Sequence, residues 1–222
     1  MNRRTFLTGT AAALILGGGG YLLTRSNTSS GNLLVGTANA QTTDADPSAI
    51  ADMVIGDADA PIDMIEYASF TCPHCATFHA TVWPELKKNY IDTGKVKFTY
   101  REVYFDRFGL WASMIARCGG DMRFFGITDE IYDKQRLWTA SGDPATIAEE
   151  LAKLGKTAGL TDEMLDACMS DGEKAQNLVA WYEANAAEDD ISSTPSFIID
   201  GEKQSNMSYA DLSALLDAKL AE

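Results

Sequence analysis

The chain has 222 residues, a formal net charge of −14 and a hydrophobic share of 45%. This length is compatible with one or two domains, and the apolar content supports a packed core, which excludes a globally disordered chain. The excess of acidic side chains argues against nucleic acid or an anionic membrane surface as a partner, because both attract basic surfaces.

The N-terminal segment, residues 1–40, has the pattern of an export signal. Arg3 and Arg4 precede an apolar stretch, Ala11–Leu23, that is too short for a comfortable membrane span. The paired arginines resemble a twin-arginine signal, and Ala40 ends a small-residue cleavage motif. We therefore expect export to the periplasm, with retention of the segment as an N-terminal membrane anchor as the alternative.

The next part of the chain predicts alternating strands and helices. Residues 41–52 are polar and are expected to form a flexible lead-in, followed by two short strands, Met53–Ile55 and Ile62–Tyr67. Apolar residues then recur every four positions from Phe78 to Tyr90, which indicates one face of a helix. Alternation over Val96–Tyr100 predicts another strand. A strand, helix, strand order of this length is a βαβ unit and favours parallel pairing.

Residues 106–189 change to helical patterning. Asp143 and Pro144 supply an N-cap and a proline at the first helical position, and Gly155 is the expected end of that helix. Strand patterning resumes at Ser196–Asp200. The sequence therefore predicts an α/β chain in which a helical block is inserted between strands.

The most specific motif is Cys72-Pro73-His74-Cys75, directly after a predicted strand and at the start of a helix. A thiolate is the nucleophile in disulfide exchange, and free N–H groups at a helix start favour negative charge. Together with a protonated His74, they are expected to lower the pKa of Cys72 from about 8.5 into the range of about 3.5–7.5. Cys72 is thus predicted to be the nucleophile and Cys75 the resolving thiol, and a stable thiolate makes the disulfide a better oxidant.

Two further residues near this motif carry titratable side chains. Glu66, six residues before Cys72, is predicted to lie below Cys75 and to accept its proton, with a solvated strand residue as the alternative. His79 is interpreted as a core or surface histidine, and a proton-handling role is the less favoured hypothesis.

Other chemistries remain open for a Cys-x-x-Cys pair. It could be a structural short disulfide, or half of a zinc site completed by Cys118 and Cys168 or by His74 and His79. Because no second closely spaced ligand pair exists in the sequence, we expect no metal and no cofactor.

Thr194 and Pro195 immediately precede the strand pattern at Ser196. A proline cannot donate to a sheet ladder and therefore belongs at a strand start. A cis peptide bond here would place backbone beside the cysteine pair, although only about 5–6% of such bonds are cis.

The order strand, Cys-x-x-Cys helix, strand, helical insert, Thr-Pro, strand, helix resembles the thioredoxin fold. The stretch Phe70–Cys75 and the helical insert are similar to the DsbA family of periplasmic disulfide oxidoreductases. The resemblance covers about residues 50–222. It implies a thioredoxin-like domain formed by residues 53–105 and 190–222, with residues 106–189 as an inserted helical domain.

The resemblance also implies roles for single residues. Cys72 is the implied nucleophile with Cys75 as its partner, Glu66 is the implied buried acid, and Thr194-Pro195 is the implied cis-proline segment that contacts substrate. The chain departs from some relatives at His79, where they carry glutamate, so the charges beneath the cysteines are expected to differ.

Cys118 and Cys168 lie on apolar faces of the helical block. In an exported chain they are expected to form a structural disulfide, which would stabilise the fold by roughly 4 kcal/mol. Two buried free thiols are the alternative.

The implied function is an exported, monomeric thiol oxidase that donates the Cys72–Cys75 disulfide to reduced or unfolded exported proteins. A membrane quinone-linked reoxidase would then restore the disulfide. A disulfide isomerase or reductase is the nearest alternative, because threonine before the proline also occurs in isomerases. A non-catalytic client-binding module is the alternative from another class.

Overall fold

The computed structural model describes residues 45–222, so the predicted export signal and the cleavage site at Ala40 lie outside the described residues. The strands are β1 (Met53–Ile55), β2 (Ile62–Ala68), β3 (Val96–Glu102), β4 (Ser196–Ile199) and β5 (Glu202–Ser205). The helices are α1 (Pro73–Thr81), α2 (Trp83–Leu86), α3 (Arg107–Cys118), α4 (Asp121–Asp133), α5 (Gln135–Trp138), α6 (Pro144–Thr157), α7 (Asp162–Ser170), α8 (Gly172–Glu188) and α9 (Tyr209–Lys219). None of the helices in this part of the chain is long and apolar enough to cross a membrane.

The strands form one mixed sheet in the order β1-β3-β2-β4-β5. β2 and β3 are parallel, and their register runs from Ile62 opposite Val96 to Ala68 opposite Glu102. The predicted parallel pair is therefore confirmed, and α1 and α2 supply the crossover that parallel strands require. β1 pairs antiparallel with β3, and β4 pairs antiparallel with β2. The two parallel strands therefore lie in the interior of the sheet.

The helices α3 to α8 lie between β3 and β4 in the chain and share a hydrophobic core with the sheet. A buried ion pair links the two parts: the Nε and Nη2 atoms of Arg117 on α3 donate to the Glu102 carboxylate at 2.6 and 2.7 Å. The guanidinium also lies over the rings of Phe124 and Trp181. These contacts orient α3 at the end of β3, close to the β2–α1 connection.

Two local features differ from the sequence expectations. Gly155 does not end α6, which continues to Thr157. A Cβ at Gly155 would lie 2.8 Å from the Leu165 side chain, so the glycine permits close packing of α6 against α7. In the predicted lead-in, Asp46 caps a 3-10 turn, and its N–H donates to Asn177 of α8 at 2.8 Å.

Candidate active site

The connection from β2 to α1 presents Cys72 at the N-cap of α1. Cys72 has an extended backbone (φ −80°, ψ 120°), and Pro73 occupies the first helical position, where its missing N–H costs nothing. Only 7% of the Cys72 surface is exposed, and Cys75 is fully buried one turn into the helix. Both are free thiols. The structure therefore leaves the Cys72 sulfur close to solvent and places the Cys75 sulfur beneath it in the core.

The two sulfurs have opposite acidities. A hydrogen bond from the Cys75 thiol is the largest cause that lowers the pKa of Cys72 to about 5, and it acts against burial. The backbone N–H groups of Cys75 and His74 lower the pKa of Cys72 further. Burial raises the pKa of Cys75, and the hydrogen bond to Cys72 and the charge of Glu66 add to that rise. At neutral pH the pair is therefore one thiolate and one thiol.

His74 contributes less directly than the sequence suggested. Its side chain is exposed, and its backbone N–H rather than its imidazole is among the main causes of the shift at Cys72. The predicted electrostatic role of a protonated His74 therefore remains a prediction.

The Thr194-Pro195 peptide bond is cis and lies beside the nucleophile. The Cys72 sulfur lies 3.5 Å from the Thr194 carbonyl oxygen, although the two residues are 122 positions apart. Pro195 is buried at the start of β4, and β4 pairs with β2, the strand that leads to Cys72. The sheet thus brings the two predicted site segments together.

A buried acid–histidine pair lies below the cysteines. Glu66 is fully buried on β2, so it is not the solvated strand residue that the alternative required. Its Oε2 atom lies 3.1 Å from Nε2 of His79 on α1. The His79 ring stacks on Tyr132 with 4.1 Å between centroids and lies 5.4 Å from Trp83. His79 is therefore a buried residue in contact with the acid.

Gln135 is a site residue that the sequence analysis missed. Its buried Nε2 donates to the carbonyls of Phe70 and Cys72 at 2.8 and 2.9 Å. These bonds hold the backbone that enters α1. Gln135 lies at the start of the short helix α5, about 60 residues later in the chain, and no local sequence motif indicates its role.

A groove of about 990 Å³ runs along α1 beside the cysteine pair. Its walls include His74 and His79 of α1, Asp129 and Tyr132 of α4, and Arg136 of α5. The buried His79 ring contributes to this wall with the small part of its side chain that is exposed.

Cys118 and Cys168 are joined by a disulfide that connects α3 to α7. Their sulfurs are therefore not available to complete a zinc site with Cys72 and Cys75. Within residues 45–222, no group of three or more His, Cys, Asp or Glu side chains is arranged to hold a metal ion.

Comparison with known proteins agrees with this geometry. The family model described as Thioredoxin matches residues 48–218. The chain is 37% identical over 172 residues to a Rickettsia bellii protein provisionally described as a protein-disulfide oxidoreductase, and the match covers 77% of this chain and 65% of the relative. Across the Rickettsia relatives, the match spans 61–65% of their length.

Two solved structures are similar in fold and in sequence. Wolbachia pipientis alpha-DsbA1 has a TM-score of 0.69 and 26% identity, covering 75% of this chain and 89% of that chain. A protein-disulfide isomerase from Novosphingobium aromaticivorans has a TM-score of 0.67 and 26% identity, covering 78% of this chain and 100% of that chain.

Proposed function

Because this chain belongs to the thioredoxin family and is DsbA-like within it, we propose that it is a protein thiol:disulfide oxidoreductase that donates its Cys72–Cys75 disulfide. The observation that carries the proposal is the asymmetry of the two sulfurs. A thiolate held at a helix N-terminus is a good leaving group, whereas its buried partner is retained as a thiol.

The exchange follows from this asymmetry. A substrate thiolate attacks the Cys72 sulfur, the Cys72–Cys75 bond breaks, and Cys75 leaves and takes up a proton. A second substrate thiolate then attacks the substrate sulfur of the mixed disulfide, and Cys72 leaves as a thiolate. Two electrons pass from the substrate dithiol to the protein, and the substrate gains one disulfide.

The backbone at Thr194 supports positioning of the substrate. Its carbonyl lies beside the Cys72 sulfur, so an extended polypeptide that forms a mixed disulfide there would run next to this segment. Main-chain hydrogen bonds to such a peptide are tolerant of side-chain identity. We therefore propose that the protein accepts many reduced or unfolded polypeptides.

We further propose that the protein acts outside the cytoplasm as a monomer and is reoxidised by a membrane quinone-linked partner. The disulfide between Cys118 and Cys168 supports an oxidising compartment, where such bonds persist. The paired arginines at Arg3 and Arg4 support export. Mass spectrometry of cell fractions would test this location, and recovery of the protein only from the cytoplasm would contradict it.

A disulfide isomerase or reductase is the second candidate. Thr194 before the cis proline and the similarity to the Novosphingobium protein described as an isomerase favour it. The reduction potential of the Cys72–Cys75 couple separates the two functions: an oxidising value supports donation, and a strongly reducing, thioredoxin-like value supports the alternative.

The direct test mixes the oxidised protein with a reduced peptide that contains two cysteines. We expect peptide oxidation and a transient mixed disulfide at Cys72, and loss of both in Cys72→Ser. A Cys118→Ser/Cys168→Ser variant is the matched control and should still oxidise the peptide. Binding of the peptide by the parent protein without any oxidation above background would instead favour a non-catalytic client-binding module.

A further inference from the structure

The redox cycle moves one proton to or from a sulfur that has no contact with water. Cys75 is fully buried, and it must gain a proton when the disulfide opens and lose it when the disulfide re-forms. Glu66, whose charge acts on Cys75, is fully buried as well. A proton that reaches Glu66 therefore needs a further carrier to exchange with solvent.

His79 lies where such a carrier is needed. Its Nε2 atom is 3.1 Å from the Glu66 carboxylate, and its Nδ1 atom is buried and has no hydrogen-bond partner among the described residues. Only 3% of its side chain is exposed, yet it forms part of the wall of the groove along α1. An imidazole can take a proton at one nitrogen and release one from the other.

A second acid, Asp129, lines the same groove as this histidine. Asp129 lies on α4 in the groove wall, and its charge is close enough to interact with His79. The surrounding protein raises the pKa of Asp129, whereas His79, a hydrogen bond from Trp83 and the charge of Lys87 lower it. Asp129 as a whole is an exposed residue, so its carboxylate can exchange protons with water even though partial burial raises its pKa.

We propose that His79 relays protons between water in the groove and Glu66, and through Glu66 to the Cys75 sulfur. When the disulfide opens, a proton passes from Nε2 of His79 to Glu66 and from Glu66 to the leaving Cys75 sulfur, and Nδ1 of His79 takes up a proton from water that enters from the groove. Re-formation of the disulfide runs the transfers in reverse. This inference rests on the proposed oxidoreductase function and assigns His79 a role that acts through Glu66.

The other groups that face His79 do not offer the same route. Tyr132 of α4 and Tyr100 of β3 flank the ring, and their hydroxyl groups bond to each other at 2.6 Å. Burial raises the pKa of both tyrosines well above 10, so they stay protonated in the working range. Cys75 lies one turn earlier on the same helix, and Lys87 lies at the groove wall.

The test isolates the step in which Cys75 must lose its proton. The reduced protein is mixed with glutathione disulfide, so that Cys72 first forms a mixed disulfide and Cys75 then displaces glutathione. In His79→Gln, the amide can still donate to Glu66 but cannot relay a proton. We expect the mixed disulfide to persist about 100-fold longer, in line with loss of a general acid–base group, while thiolate absorbance of Cys72 titrates as in the parent protein.

Two comparisons separate a relay from a structural role. Added imidazole should shorten the lifetime of the mixed disulfide in His79→Ala, because it can enter the groove, and should not affect the parent protein. Asp129→Asn should lengthen the lifetime, whereas the matched variant Asp133→Asn, which removes another exposed groove carboxylate from α4, should not.

These experiments distinguish a failure of the proton relay from a failure of the proposed oxidoreductase function. If the parent protein forms no mixed disulfide, the oxidoreductase function itself fails. If the parent protein reacts normally and folded His79→Gln has the same mixed-disulfide lifetime over the whole pH range, the relay is wrong and the function stands. Failure of imidazole to accelerate folded His79→Ala would likewise overturn the relay.

Discussion

The described chain contains two cysteine pairs in contrasting surroundings. Cys72 and Cys75 are three positions apart at the start of α1 and are free thiols, whereas Cys118 and Cys168 are separated by 50 positions and form a disulfide between α3 and α7. The first pair meets helix N–H groups, the Thr194 segment and a buried acid. In the second pair, Cys118 packs against the edge of the hydrophobic core, and both cysteines are partly exposed.

The contrast teaches that the surroundings of a sulfur, rather than the presence of a second cysteine, decide what a pair can do. Donors around Cys72 stabilise its thiolate, which favours the reduced state and makes the disulfide easy to donate. No corresponding set of donors is associated with Cys118, whose sulfur lies 3.2 Å from the carbonyl of Met164. This pair instead forms a disulfide that cross-links α3 to α7.

The largest expected difference between the pairs is in activity. Cys72→Ser removes the nucleophile and should reduce peptide oxidation to the uncatalysed background. Cys118→Ser/Cys168→Ser should retain most of the activity of the parent protein. Initial rates with a reduced two-cysteine peptide measure both, and equal losses in the two variants would erase the distinction.

The next largest effect is on stability and runs in the opposite direction. Cys118→Ser/Cys168→Ser should lower the free energy of unfolding by about 4 kcal/mol, because its cross-link closes a loop of 50 residues. Cys72→Ser/Cys75→Ser removes a cross-link that closes only a very small ring. Relative to the oxidised parent protein, it should therefore lower the free energy of unfolding much less than Cys118→Ser/Cys168→Ser does. Urea unfolding of the two variants gives the comparison.

The Cys72–Cys75 pair should also make stability depend on pH. A Cys72 pKa of about 5, against an ordinary value of 9.0, stabilises the reduced folded state in full above pH 9, and this stabilisation decreases as the pH falls and is lost below about pH 5. After allowance for solvent screening, the free energy of unfolding of the reduced protein should change by about 3 kcal/mol over this pH range. Unfolding of reduced and oxidised protein from pH 8 to about pH 4 tests this, and a constant difference between the two forms would contradict it.

The smallest expected effect concerns the backbone support of the reactive pair. Gln135→Met leaves the buried carbonyls of Phe70 and Cys72 without their donor, which should cost about 2 kcal/mol of unfolding free energy. The same variant should slow exchange, because the start of α1 is less well held. Leu137→Met, an exposed position on the same helix, is the control and should change neither.

Much of the fold was predictable because its signals are local. Asp143 and Pro144 predict the start of α6, and the alternation of apolar and polar residues over Val96–Tyr100 predicts β3. The expected helix end at Gly155 was wrong, because the glycine serves the packing of α6 against α7 rather than a turn. A single glycine allows both uses, and only the position of Leu165 distinguishes them.

The sequence by itself determined the reactive motif: a cysteine at an N-cap, a proline at the first helical position and a second cysteine one turn later depend on four consecutive residues. The tertiary structure alone decided what surrounds that motif. The register of β2 with β4 brings Thr194 to Cys72, the packing of α5 brings Gln135 to the backbone, and the packing of α1 on β2 pairs His79 with Glu66. Such contacts join residues far apart in the chain, and the free energy that holds them comes from the shared core rather than from any local pattern.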